Sequence, residues 1–161
     1  MKPHQLSIFP INVQFEDVDA HGVVHHPNYL KYIERARFYG MQQHGYSFET
    51  LLSSDSALTV SEIQANYLRP AFVGQALFVV SWVTAVGKSM LKLCQTITVS
   101  VPRFEDLELE KIKFSICKSP EAIFWADLKL ICIDSKSLRP KSIPADLKRV
   151  ILNGAERSCQ Y

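Results

Sequence analysis

One stretch, NYLKYIERARFYGMQQHG at 28–45, has the spacing of a helix, and nearly everything after it is written in strands. Apolar or small residues fall at Tyr29, Tyr32, Ile33, Ala36, Tyr39 and Gly40, one face of a 3.6-residue period, with Gly45 placed to end it. Pro27 suits a first helical turn, where no amide hydrogen is missed. Ahead of the helix, Ile11, Val13 and Phe15 alternate with polar neighbours as a first strand. Behind it, a short turn or helix around Phe48 to Leu52 leads into stretches rich in Val, Ile, Thr and aromatics near 57–68, 76–86, 90–101, 108–118 and 122–134. In LKLCQTITVSV the residues Leu91, Leu93, Ile97, Val99 and Val101 point one way, interrupted only by Gln95. A lone helix cannot serve as a repeated crossover, so it must cover one face of a largely antiparallel sheet of five to six strands. The expected class is α+β, not doubly wound α/β. SKSLRPKSIP reads as an exposed loop, and PADLKRVILNG as a short closing helix behind Pro144. One helix covers only part of a long curved sheet, which leaves an edge strand and apolar surface exposed in a monomer, and dimerisation is the simplest remedy.

With 161 residues, 47% hydrophobic and 21% charged, the chain has the size and balance of one globular domain, 1–161. Its 18 basic and 16 acidic residues are scattered, and no basic block is present to grip nucleic acid or a membrane surface. The four cysteines, at 94, 117, 132 and 159, fall singly, and three lie in apolar strand-like runs, which reads as reduced core thiols. The N-terminal MKPHQLSIFPINVQ lacks the apolar stretch of a signal peptide, and no window approaches the ~20 apolar residues of a membrane span. The expected location is the cytoplasm.

Reactive side chains concentrate in EDVDAHGVVHHPNY, which holds three acids, three of the five histidines, a glycine and the start of the helix. The bland reading is solvated turn chemistry, with Asp17 or Asp19 bonding its own backbone. Against it stands the arrangement of a carboxylate, a glycine and a helix start within eight residues. The carboxylate supplies an anionic base or nucleophile. The unpaired amides of the helix N-terminus can polarise a carbonyl oxygen and stabilise the oxyanion formed on attack. Gly22 lets the backbone come close to a substrate. A thioester suits so sparse a site, because a thiol of pKa about 8–9 leaves as thiolate and hardly needs a general acid.

The run FEDVDAHGVVHHPNYLKYIERAR resembles the signature of the 4-hydroxybenzoyl-CoA thioesterase family, including the YbgC-like acyl-CoA thioesterases. That family has an aspartate, a Gly-Val-Val or similar triplet, and Pro-Asn-Tyr or a variant in this order. IQANYLRPAFVGQALFV is similar to the family's second block, a strand ending in Tyr-x-x-Pro before a glycine turn, so the resemblance covers roughly 8–135, with a C-terminal loop and short helix at 136–161. It implies a hotdog fold, with the sheet wrapped around one long central helix and active sites between two subunits of a homodimer that can pair into a homotetramer. It also implies an acyl-CoA substrate, with coenzyme A as part of that substrate and neither a separate cofactor nor a metal.

Carried over by position, the resemblance puts the catalytic aspartate on Asp19, as general base on water or direct nucleophile. His26 falls where a backbone amide opening the helix holds the thioester oxygen, and His25 lines the acyl pocket. Gly22, Asn28 and Tyr29 of the same motif join the substrate-binding set, as does Glu34, whose plain alternative is an exposed helix-surface acid. Lys88, Ser89 and Met90 form the turn from which related enzymes contact the nucleotide. Arg69 in YLRP could do the same or make a strand-end salt bridge. Two departures from the pattern are His21, where a small residue is usual, and Gln75, where an acid often follows the glycine of the second block. Asp17 is read as a structural loop acid.

Three other readings compete. Asp17, Asp19, His21, His25 and His26 could ligate a hydrolytic metal. The HxxxH spacing, however, places both imidazoles on one face only in a helix, and here it lies in a loop. A hotdog protein could also bind acyl-CoA without hydrolysing it, which the intact Asp19 argues against. Lastly, the acyl carrier could be acyl carrier protein, or the enzyme a hotdog dehydratase, whose loop motif this one resembles less.

Overall fold

The computed structural model describes residues 4–101 and 119–153. Strand β1 (His4–Asn12) is followed by a 3-10 turn at Phe15–Asp17, the helices α1 (His26–Gln43) and α2 (Phe48–Ser53), and the strands β2 (Ser56–Tyr67), β3 (Ala76–Val86), β4 (Met90–Thr98) and β5 (Ala122–Asp134). Helix α3 (Ala145–Asn153) comes last. Among the described residues the strands form one antiparallel sheet in the order β1-β3-β4-β5-β2, with β1 and β2 at its edges. The α+β class is as expected, and among the described residues one long helix, α1, is followed by strands. The strand expected near 108–118 lies outside the described residues, as do Cys117 and Cys159. Cys94 and Cys132 are both buried.

Helix α1 buries Tyr29, Tyr32, Ile33, Ala36 and Gly40. The opposing sheet face presents Leu77, Val79, Ile97, Phe124 and Leu128, all buried. Each such side chain withdrawn from water contributes about 1.5–3 kcal/mol before conformational entropy is counted. Gly40 lets the helix lie close on β1, since a Cβ there would stand 2.9 Å from the Ser7 Oγ. Tyr39, expected on the same face, is half-buried at its rim, where its ring meets Phe9 at 4.9 Å.

Two expectations are corrected. The first strand does not run through Phe15. It ends at Asn12, opposite the first residue of β3, and Phe15 opens the 3-10 turn with its side chain exposed. Pro10 sits within the strand because β1 is an edge, where a missing amide costs no ladder bond. In β4 the one-sided alternation holds only to Ile97. The strand stops at Thr98, so Val99 and Val101 are exposed, while Cys94, Thr96 and Thr98 on the opposite face are buried too.

Candidate active site

Between β1 and α1 the chain folds back on itself. Asp17 is buried, and its carboxylate accepts the Gln14 amide at 2.9 Å. Its carbonyl accepts the His25 amide at 2.9 Å and the Asn28 side-chain amide at 2.8 Å. Those two bonds tie the start of α1 to the loop that precedes it, and Asp17 and the buried Asn28 both serve as positioning groups. Tyr32 lies beneath. Its phenol is pushed well up, by burial first and the neighbouring Asp17 second, and its hydroxyl lacks a well-formed hydrogen bond.

Within the loop the Asp19 amide donates to the Val23 carbonyl at 2.9 Å, and the Gly22 amide donates to the Asp19 carbonyl at 3.0 Å. Gly22 has φ of 74°, in the left-handed region. The Asp19 side chain is exposed, and its Oδ1 accepts the amides of His21 at 2.8 Å and Val23 at 3.2 Å. The amides of His21 and Val23, with a lesser contribution from the imidazoles of His21 and His25, hold its carboxyl below the usual carboxylate range. The backbone-bonded turn and the ionised carboxylate thus coexist: Oδ1 is occupied by amides, and the group remains an exposed anion beside the helix start.

The second sequence block packs against this loop. Val24 donates to the Ala71 carbonyl at 2.9 Å, Val73 donates to Gly22 at 3.2 Å, and Val23 bridges to Phe72. The Tyr29 hydroxyl accepts the Ala71 amide at 3.0 Å, and the Tyr67 hydroxyl donates to the His26 carbonyl at 3.3 Å. Phe124 lies under both rings, stacked on Tyr29 at 5.5 Å and edge-on to Tyr67 at 5.1 Å. His25 and His26 are exposed at the helix mouth, their rings 4.8 Å apart. His26 is the first helical residue, and its amide is one of those with no intrahelical acceptor. Asp19, Gly22, His25, His26, Asn28 and Tyr29 are therefore brought together.

The others are not. Glu34 lies eight residues along α1 from His26, about 12 Å by helical rise. Lys88, Ser89 and Met90 turn the chain between β3 and β4. The Lys88 carbonyl accepts the Ile143 amide and the Ser89 carbonyl the Cys132 amide, both at 2.8 Å. The loop lies instead at the start of β3, an 11-residue strand that spans about 35 Å. Arg69 makes no salt bridge among the described residues. It donates to the carbonyls of Ala122 at 2.6 Å and Ser119 at 3.3 Å. Gln75 caps its own turn by accepting the Phe72 amide at 2.8 Å. Among the described residues, no three His, Cys, Asp or Glu side chains are grouped to hold a metal ion. Sequence reasoning missed Tyr67, whose only signal was its place in the second block, and the pair Arg37 and Gln95, treated below.

Gly22 gives a direct check on the loop. A Cβ built there meets nothing within 4 Å, so the cost of Gly22→Ala is conformational, about 1–2 kcal/mol. Chemical denaturation should show that loss, and Gly22→Asn, which tolerates the left-handed region, should lose less than half of it. Equal stability of all three proteins would mean the turn is not held as described.

The chain matches a known class. The model of the thioesterase superfamily matches residues 21–103, more than half of the chain, and the chain belongs to that family. Among curated relatives, it is 28% identical to the acyl-CoA thioesterase YbgC of Helicobacter pylori, over 86% of this chain and 95% of the relative. It is 25% identical to the acyl-CoA thioester hydrolase YbgC of Escherichia coli O6:H1, over 86% and 90%. A thioester hydrolase, the enzyme class expected from the sequence, is what these relatives are named. Among solved structures, a 1,4-dihydroxy-2-naphthoyl-CoA thioesterase from Synechocystis superposes with a TM-score of 0.73 at 18% identity, covering 91% of this chain and 96% of that one. A Staphylococcus aureus protein solved in complex with CoA gives 0.75 at 17%, covering 100% and 90%. These likenesses establish the hotdog fold.

Proposed function

We propose that this protein hydrolyses acyl-CoA thioesters to the free acid and CoA, with Asp19 as the carboxylate that activates water or attacks the carbonyl. The observation that carries this reading is the bonding of Asp17 to His25 and Asn28, which holds the Asp19 turn against the first turn of α1. An exposed anion then lies near the His26 amide, which has no intrahelical acceptor, as acyl transfer requires. The His26 amide polarises the thioester oxygen, and His25 and Tyr29 border the acyl group. The names of the YbgC relatives support the substrate class.

Two chains act together in this reading. Val60, Ile63, Tyr67 and Leu68 leave apolar side chains exposed along the β2 edge, which supports pairing of two copies there. Lys88, Ser89 and Met90 then serve a substrate bound at the partner's loop. The buried thiols Cys94 and Cys132 suit a reducing compartment, the cytoplasm. Among the described residues, no helix is long and apolar enough to cross a membrane.

Free-thiol release over short, medium, long and aromatic acyl-CoAs, with and without chelator, tests the proposal. Turnover of at least one member, unaffected by chelator, is expected. Binding of acyl-CoA with no turnover of any member would replace the enzyme by a carrier or sensor.

A further inference from the structure

A cavity of about 340 Å³ lies between the C-terminal half of α1 and the sheet, and no residue of the Asp19 loop lines it. Its volume is in the range of small-molecule sites. Most of its wall is apolar, from Leu58, Val83, Leu91 and Leu130, and its polar lining is Ser7, Thr59, Ser81, Glu34 and Arg37. Eleven residues, about 16 Å of helix, separate Arg37 from His26.

The Arg37 side chain is only 14% exposed. Its Nη1 donates to the Gln95 Oε1 at 3.0 Å. Gln95 is fully buried and neutral, and its own amide is committed to the Ile33 carbonyl and the Ser81 Oγ, each at 2.8 Å. Among the described residues, the charge of Arg37 is met only by Glu34, 3.9 Å away and 58% exposed, a separation and exposure at which an ion pair holds weakly. A guanidinium has five N–H donors, and burying it without a close anion is costly. Burial accordingly pushes Arg37 down, with Glu34 only partly opposing it. The wall therefore combines an apolar body-sized space with an undercompensated, fork-shaped cation.

We propose that this cavity binds a molecule with an apolar body and a terminal carboxylate, which Arg37 holds and for which Glu34 is a weak internal competitor. The carboxylate can belong to a free acid, or to the far end of a dicarboxylic acyl group delivered as a thioester. The second source rests on the thioesterase reading above.

Calorimetric titration of the full-length protein with decanoate and decan-1-ol tests the shared chemistry. Decanoate is expected to bind at least about tenfold more tightly than the alcohol, the value of a charge-assisted contact. Arg37→Met should abolish the difference, and Glu34→Gln should tighten decanoate; the second variant carries the test if the first fails to fold. Equal affinity for the two ligands, or no binding of either, overturns the proposal. Hydrolysis of sebacyl-CoA and decanoyl-CoA by the same proteins separates the sources. A rise in KM for sebacyl-CoA alone on Arg37→Met assigns the acyl source, and decanoate binding without that rise assigns the free acid. If neither thioester is cleaved by wild type, the thioesterase reading fails while the titration still decides the cavity.

Discussion

Asp19→Asn should lower kcat/KM on the best acyl-CoA by at least about 100-fold, the loss expected of a missing general base or nucleophile. The substitution is close to isosteric. The Asn carbonyl can still accept the amides of His21 and Val23, so the turn stays formed and the protein should unfold at nearly the wild-type denaturant concentration. What is lost is the anion. The pH profile adds a second, independent reading. Because those amides hold the Asp19 carboxyl below the usual carboxylate range, the group stays ionised from neutral pH down past that range. Its folded-state preference for the charged form is present above the unfolded value and disappears as pH falls through the lowered one. The acid limb of kcat/KM should therefore lie lower than an ordinary aspartate would place it, with no inflection from this group near neutrality. A variant retaining a tenth of the activity, or an acid limb above pH 5, would remove Asp19 from the chemistry.

Phe124→Ala should cost about 3–5 kcal/mol of stability, read as a urea midpoint lowered by roughly 1 M or more at unchanged slope. Phe124 is fully buried, and its ring is the platform on which Tyr29 stacks and against whose face Tyr67 abuts. Deletion leaves a cavity under two aromatic rings that also anchor the site, through the Tyr29 bond to the Ala71 amide and the Tyr67 bond to the His26 carbonyl. Activity per folded molecule should fall as well. Phe124→Leu, which refills part of the volume, should recover more than half of the stability. An unchanged midpoint for the alanine variant would contradict the packing described for β5 and α1.

The helix and the four strands that follow α2 could be read to within a residue or two at most boundaries, because their signals are local: one apolar face in α1, and β-branched runs closed by glycine or proline turns. The end of β1 was placed late, since Phe15 continues an alternation that only the loss of backbone pairing beyond Val13 interrupts. The Asp19 loop was legible as a concentration of reactive groups. That Oδ1 would be taken by two amides was foreseen only as the alternative to catalysis, and those bonds leave the carboxylate exposed. Arg37 was invisible, because its meaning depends on Gln95, 58 residues away. The one trace was Gln95 itself, a polar residue at an inward position among Leu91, Leu93 and Ile97.

Gln95 has a consequence for how the chain finds its fold. Apolar faces alone would let α1 settle on the sheet in several alignments, since one turn of sliding, 5.4 Å, returns a similar stripe of side chains to the same place. Only one alignment brings the Ile33 carbonyl and the Arg37 guanidinium to Gln95 together. In any other, two or three buried polar groups lose their partners, at about 1–3 kcal/mol each. A single glutamine in β4 thus acts as a registration mark, and a chain with leucine there would be free to fold with its helix a turn out of place.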